Sequence, residues 1–200
     1  MRNLWKTTVM GIVYAMIVYI VASFLVTITT VLTVASGMVG SGTAAGSFLL
    51  LTVIFLIAML AGFVWFFINL SKFITLQKTD DDAKSISNVR TAYILVVVGV
   101  LVSFIPLIGW IVNLVCQIVA YILLIIAFGN YSNSRVLGMG AKSGASLLKT
   151  YAILALICGI LLVIPVINFL ALIGLIVAWI LMFMGWVKIA NDAPREEGEA

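Results

Sequence analysis

The chain has 200 residues, 64% of them hydrophobic and 9% charged, with a formal net charge of +4 and a mean hydropathy of +1.31. Water-soluble domains carry about 25% charged residues, so this composition excludes an ordinary water-facing surface and makes lipid the main solvent. Histidine is absent, which removes imidazole ligation of haem, histidine-based zinc sites and histidine acid–base catalysis.

The placement of charge sets the architecture. No charged residue occurs between Lys6 and Lys72, between Arg90 and Arg135, or between Lys149 and Lys188. Each interval is far longer than the roughly 20 residues of one membrane span, so each must hold two helices with an uncharged connection. The fold expected is all-α: a polytopic integral membrane protein of six transmembrane helices in three hairpins, about 9–70, 91–128 and 147–187. They form a single domain over residues 1–190. With six spans all 11 Lys and Arg fall on one side. The positive-inside rule then places both termini and both long loops in the cytoplasm, in a cell or inner membrane. Five or seven spans would scatter the charges. The excess is too small and too dispersed to point to nucleic acid.

In chain order, a basic lead with Trp5 at interfacial depth precedes a first helix over 9–34. Its apolar run exceeds the 7–15 residues of a signal h-region, so retention is expected over cleavage after residues 34–36. Residues 36–47 are rich in glycine and serine. They lack the lysine and the preceding strand of a phosphate loop, so they read as a flexible outer turn. A second helix over 48–70 carries Trp65, Phe66 and Phe67 near its inner end. Ala58 and Gly62, four apart, let another helix approach closely.

Residues 71–90 form the first inner connection. Thr79 followed by Asp80, Asp81 and Asp82 reads as a cap and a charged first turn. A metal site is disfavoured, because neighbouring side chains on a helix diverge by about 100°. Helices over 91–104 and 110–128 meet at a turn containing Pro106 and Gly109, since proline ends a continuous helix. The short third helix is expected to extend back before residue 91. Residues 129–149 form a second inner connection. Helices over 147–163 and 169–187 follow, and Gly174 and Ala178 form a second pair of small residues. The acidic tail, 191–200, is expected to be a disordered cytoplasmic segment.

The second hairpin returns in the third. Arg90-Thr91-Ala92-Tyr93-Ile94-Leu95 corresponds to Lys149-Thr150-Tyr151-Ala152-Ile153-Leu154, and Ile105-Pro106-Leu107-Ile108 to Ile164-Pro165-Val166-Ile167. Val119-Ala120-Tyr121-Ile122-Leu123 corresponds to Val177-Ala178-Trp179-Ile180-Leu181. The offset is 59 residues for the first two blocks and 58 for the third, so one residue is lost after the proline turn. Such spacing marks a repeated structural unit. Both copies enter from the same side, making them parallel repeats with proline-tipped outer turns. The first hairpin is a candidate third copy through Val64-Trp65 alone.

No acid, base or metal-ligand cluster lies within the spans, so neither an enzyme nor a bound cofactor or metal is expected. The most polar intramembrane spot is Asn113 with Gln117, four apart on one helix face. The positions matched to them in the third hairpin are apolar, with Leu172 opposite Asn113 and Gly174 or Leu175 opposite Gln117. Such a pair either lines a solute path or serves as interhelical glue. Thr27, Thr29, Thr30 and Thr33 form a hydroxyl ladder whose groups are expected to bond back to their own helix. Cys116 and Cys158 read as small apolar residues. Two functions fit. One is a non-enzymatic scaffold or accessory subunit, whose partners are the lipid bilayer and other membrane proteins or itself. The other is a small transporter or channel for an uncharged or weakly polar solute.

Overall fold

The computed structural model describes residues 2–40, 42–103, 105–106, 108–162, 164 and 167–193. The helices are α1 (Arg2–Met38), α2 (Gly42–Thr75), α3 (Asp80–Val102), α4 (Gly109–Ser132), α5 (Met139–Leu161) and α6 (Asn168–Asn191). Each is long and apolar enough to cross a membrane, and no strand occurs among the described residues. The protein is an all-α, six-helix membrane protein. The end of the acidic tail, 194–200, lies outside the described residues.

The helices are longer than the apolar runs that announce them. At about 1.5 Å per residue, α1 and α2 measure about 55 and 51 Å, and α3 to α6 about 35–36 Å each. The expected flexible turn at 36–47 is corrected by helix on both sides, with Val39 and Gly40 in a turn. Gly40 has φ 80°, the left-handed conformation that glycine adopts without a Cβ penalty. Residues such as Met38, Ala44 and Ala45 continue the helices readily. The second inner connection contracts in the same way, from 129–149 to 133–138. α3 does extend back before residue 91, beginning at Asp80 after Thr79, whose hydroxyl accepts from the Asp82 amide at 3.2 Å.

The chain divides into two compact units, Gly11–Asn69 and Met1–Met10 with Leu70–Ala200. In the first, α1 and α2 approach at Gly62, where an added Cβ would stand 3.0 Å from the Tyr19 backbone nitrogen and 3.3 Å from the Ala15 carbonyl oxygen. One end of the same seam seats the Asn69 amide over Gly11. Elsewhere along it, the Thr52 hydroxyl donates to Thr29 Oγ1 at 2.8 Å.

In the second unit α3 packs on α4, α4 on α5 and α5 on α6. Burial follows the offsets of the sequence correspondence. Asp82, Ser85, Ile86 and Val89 of α3 are buried, as are Ala141, Gly144, Ala145 and Leu148 of α5, each 59 residues on. Ala120, Leu124, Ala127 and Phe128 of α4 are buried, as are Ala178, Met182, Gly185 and Trp186 of α6, each 58 residues on. Carried back along the helix, this register sets Ala171 rather than Leu172 at the position of Asn113. At the second turn, an added Cβ on Gly109 would run into the Val102 carbonyl. The glycine there serves close approach, not a left-handed φ.

Candidate functional site

Asn113 and Gln117 lie on α4, half-buried. Gln117 Nε2 donates to Asn113 Oδ1 at 3.5 Å, a long bond within one helix. Asn113 Oδ1 would stand 2.8 Å from a Cβ added to Gly99, and Cys116 Cβ 2.9 Å from it. Asn113 and Cys116 therefore sit in the α3–α4 seam, fitted against Gly99. Sequence spacing placed the two amides on one face; Gly99 is the partner it did not show.

The small residues differ in what they admit. Gly62 meets the α1 backbone, and Ala58 is half-buried on the same helix. Gly174 faces the Cys158 sulfur so closely that a Cβ would overlap it, and Ala178 is fully buried. The closest approach of backbone to backbone between α5 and α6 lies elsewhere, at Gly144 and Gly185. A Cβ on Gly144 would come 2.6 Å from the Gly185 carbonyl oxygen, and one on Gly185 2.9 Å from the Gly144 oxygen. Gly140 and Gly144 are four apart, a spacing visible in the sequence but hidden by reading 129–149 as a connection.

The charged end of the second unit carries most of its polar contacts. Trp5 Nε1 donates to the Ile189 carbonyl at 2.8 Å, joining α1 to the last turn of α6. That carbonyl is among the four that a helix end leaves without an intrahelical donor. The Phe73 ring meets Trp5, Tyr131 and Trp186 at centroid distances of 4.8, 6.3 and 6.0 Å, edge to face. Trp186 also meets Phe128 at 6.1 Å, and its Nε1 is buried without a hydrogen-bond partner. Tyr131 donates to Gln77 Oε1 at 3.0 Å.

The two inner helix starts are closed differently, α3 by the Thr79 hydroxyl of its own chain segment and α5 by a carboxylate from beyond α6. Asp80 and Asp81 point to solvent while Asp82 is buried, so the three aspartates diverge. Asp82 accepts from the Ser134 hydroxyl, beyond α4, at 2.7 Å. α5 has no side-chain cap from Gly138; Asp192, beyond α6, accepts from the Ala141 amide at 2.9 Å. Gly138 and Gly140 leave the space that the Asp192 carboxylate fills. An anionic group at a helix N-terminus satisfies an orphan donor and opposes the helix dipole. Lys188 donates to Ser143 at 3.1 Å across the same two helices.

Further toward the middle, the phenol groups of Tyr93 on α3 and Tyr121 on α4 both interact with that of Tyr151 on α5. Nothing in their spacing announces this meeting of three helices. The threonine ladder bonds back to α1 as expected, Thr27 to Ser23, Thr30 to Val26 and Thr33 to Thr29 carbonyls at 2.7–3.0 Å.

Comparison of the chain with protein-family models, with curated proteins and with solved structures finds no match. The site must therefore be judged on its own chemistry, which is that of a multi-pass membrane protein whose hydroxyl groups mostly bond back to their own helices, with a smaller set of polar side chains joining one element to another.

Proposed function

We propose that the protein is a non-enzymatic scaffold or accessory subunit of a membrane complex, built on a duplicated helical hairpin, with both termini in the cytoplasm. The observation that carries this reading is the fate of the most polar intramembrane residue. Asn113 is fitted into the α3–α4 seam against Gly99, which favours interhelical packing over a solute path. The charged end supports it further. Trp5, Phe73, Tyr131, Trp186 and Asp192 tie α1, α2, α4, α5 and α6 into one aromatic and hydrogen-bonded layer. Such a layer gives a fixed surface for other membrane proteins or for a second copy. The matched burial registers of α3 with α5 and α4 with α6 support the duplication, and the one-sided run of Lys and Arg supports the orientation.

The half-exposed Gln117 leaves one competing reading, a small transporter or channel for an uncharged solute. Purification from the native membrane in mild detergent, with mass spectrometry of what accompanies the protein, is the first test. A stoichiometric protein partner, or a defined homo-oligomer, is the expected result. Reconstituted vesicles that pass a neutral solute, and lose that flux in a well-folded Asn113→Leu, Gln117→Leu protein, would establish transport instead.

A further inference from the structure

The two turns of the duplicated hairpins differ in kind from the turn of the first. Around Gly40 the chain carries Ser36, Thr43 and Ser47 with four glycines, groups at home in water, alongside the exposed Met38 and Val39. Around Pro106 the apolar Ile105, Ile108 and Trp110 stand out from the protein at 54%, 62% and 65% exposure, and the Ser103 hydroxyl donates to the Val100 carbonyl at 2.6 Å; beside the third turn Asn168 is half-buried and Phe169 is 75% exposed. Side chains of this kind at a water-facing tip would leave a large apolar surface wet.

Length points the same way. Lys6 to Met38 spans about 48 Å of helix and Gly42 to Lys72 about 45 Å, both more than the roughly 30 Å of a hydrocarbon core. Arg90 to the end of α3 at Val102 spans only about 18 Å, and Lys149 to the end of α5 at Leu161 again about 18 Å. With the turn added, each reaches about 22 Å beyond its last charge, about 8 Å short of a full core. Snorkelling lets the Cα atoms of Arg90 and Lys149 sit inside the boundary. A shift of half the shortfall still leaves the turns below the opposite headgroups.

Irregular backbone is admitted to hydrocarbon only where its polar groups are satisfied. Here several of the described donors are. Ser103 N donates to Gly99 O, Ile105 N to Val102 O, Ile108 N to Pro106 O and Gly109 N to Ile105 O, all at 2.9–3.0 Å, and Pro106 has no N–H. In the third hairpin Leu162 N donates to Cys158 O at 2.9 Å, Ile164 N to Leu161 O at 3.0 Å and Ile167 N to Ile164 O at 3.2 Å.

We propose that the α3–α4 and α5–α6 hairpins reverse inside the hydrocarbon of the bilayer, their turns covered by lipid acyl chains, while the α1–α2 turn stands in water. The test places a nitroxide at Ile108→Cys, at Ile167→Cys and, for reference, at Thr43→Cys, each in a Cys116→Ala, Cys158→Ala protein. The probes are read in phosphatidylcholine vesicles for collision with oxygen and with a water-soluble nickel chelate. High oxygen and low nickel accessibility at 108 and 167, with the reverse at 43, is expected. Nickel accessibility at 108 and 167 equal to that at 43 would overturn the proposal. A second measurement keeps both native cysteines and the fold. The fluorescence lost in Trp110→Phe, taken as a difference from the unmutated protein, is expected to be quenched by phosphatidylcholine brominated deep in its acyl chains. Quenching of that component by aqueous iodide, and not by the brominated lipid, would overturn it equally.

Discussion

The α1–α2 hairpin and the two hairpins after it reverse an apolar chain by different chemistry. The first uses helices of about 51–55 Å and a glycine at φ 80°, and in the Gly11–Asn69 unit its helices meet through Gly62 and a threonine pair. The later two use helices of about 35 Å, proline-containing turns and contacts concentrated toward the charged end, where aromatic rings, joined by Trp5 and Phe73 from the ends of α1 and α2, pack together and the Asp192 carboxylate closes the start of α5. The lesson is that similar hydropathy conceals two ways of holding helices together. One relies on backbone approach along the seam; the other adds a soluble-like aromatic and polar cap.

The sharpest way to break that contrast is to remove the centre of the cap. Trp186→Ala deletes a fully buried side chain and is expected to cost about 3–5 kcal/mol of stability. Trp65→Ala, at a 43% exposed position on α2, should cost much less. Denaturant titration of the detergent-solubilised protein by circular dichroism reads both, and equal losses would erase the distinction. Next comes the seam of the first hairpin. Gly62→Ala forces a methyl group to 3.0 Å from the Tyr19 nitrogen and should destabilise by about 1–3 kcal/mol. Gly46→Ala meets nothing within 4 Å and should be neutral or stabilising by up to about 1 kcal/mol.

Smaller effects sharpen the comparison of caps. Asp192→Ala leaves the Ala141 amide without its acceptor, at an expected cost of about 0.5–2 kcal/mol. Asp192→Asn should recover part of that cost, and hydrogen exchange in the first turn of α5 should report the fraying directly. Smallest of all is Thr29→Val. It removes the acceptor for Thr52, which still bonds the Phe48 carbonyl at 2.8 Å. The expected loss is about 1 kcal/mol or less, and a larger one would mean that the threonine pair does more than join two helices.

Much of the fold is legible in the sequence, and particular residues show where legibility stops. The charge-free intervals gave three hairpins, and Thr79 with the aspartates after it gave the start of α3. Helices run on past their apolar segments where glycine and serine accumulate, because such residues lower helix propensity while tertiary contact overrides it. Gly144 is the clearest case: it weakens α5 as an isolated helix and is what admits the Gly185 carbonyl. The face shared by Asn113 and Gln117 follows from a spacing of four, but its position against Gly99 does not. The tyrosine meeting at 93, 121 and 151 is hidden in the sequence for a related reason. Three helices must be placed before three phenol groups can be seen to converge.

The sequence by itself determined that lipid is the solvent, that six apolar helices pair into three hairpins, and that every cation falls on one side of them. These are local properties: transfer of each segment into lipid and the cost of each charge there do not depend on which neighbour it meets. The tertiary structure alone decided which apolar faces turn inward, which glycines are contact points, and which donors meet which acceptors. The Trp5 indole donates to a carbonyl 184 residues away, and the Asp192 carboxylate closes a helix that begins 53 positions before it. In water an inward face announces itself by being apolar. In lipid both faces are apolar, so periodicity carries little burial signal, and only packing distinguishes the side that meets protein from the side that meets lipid.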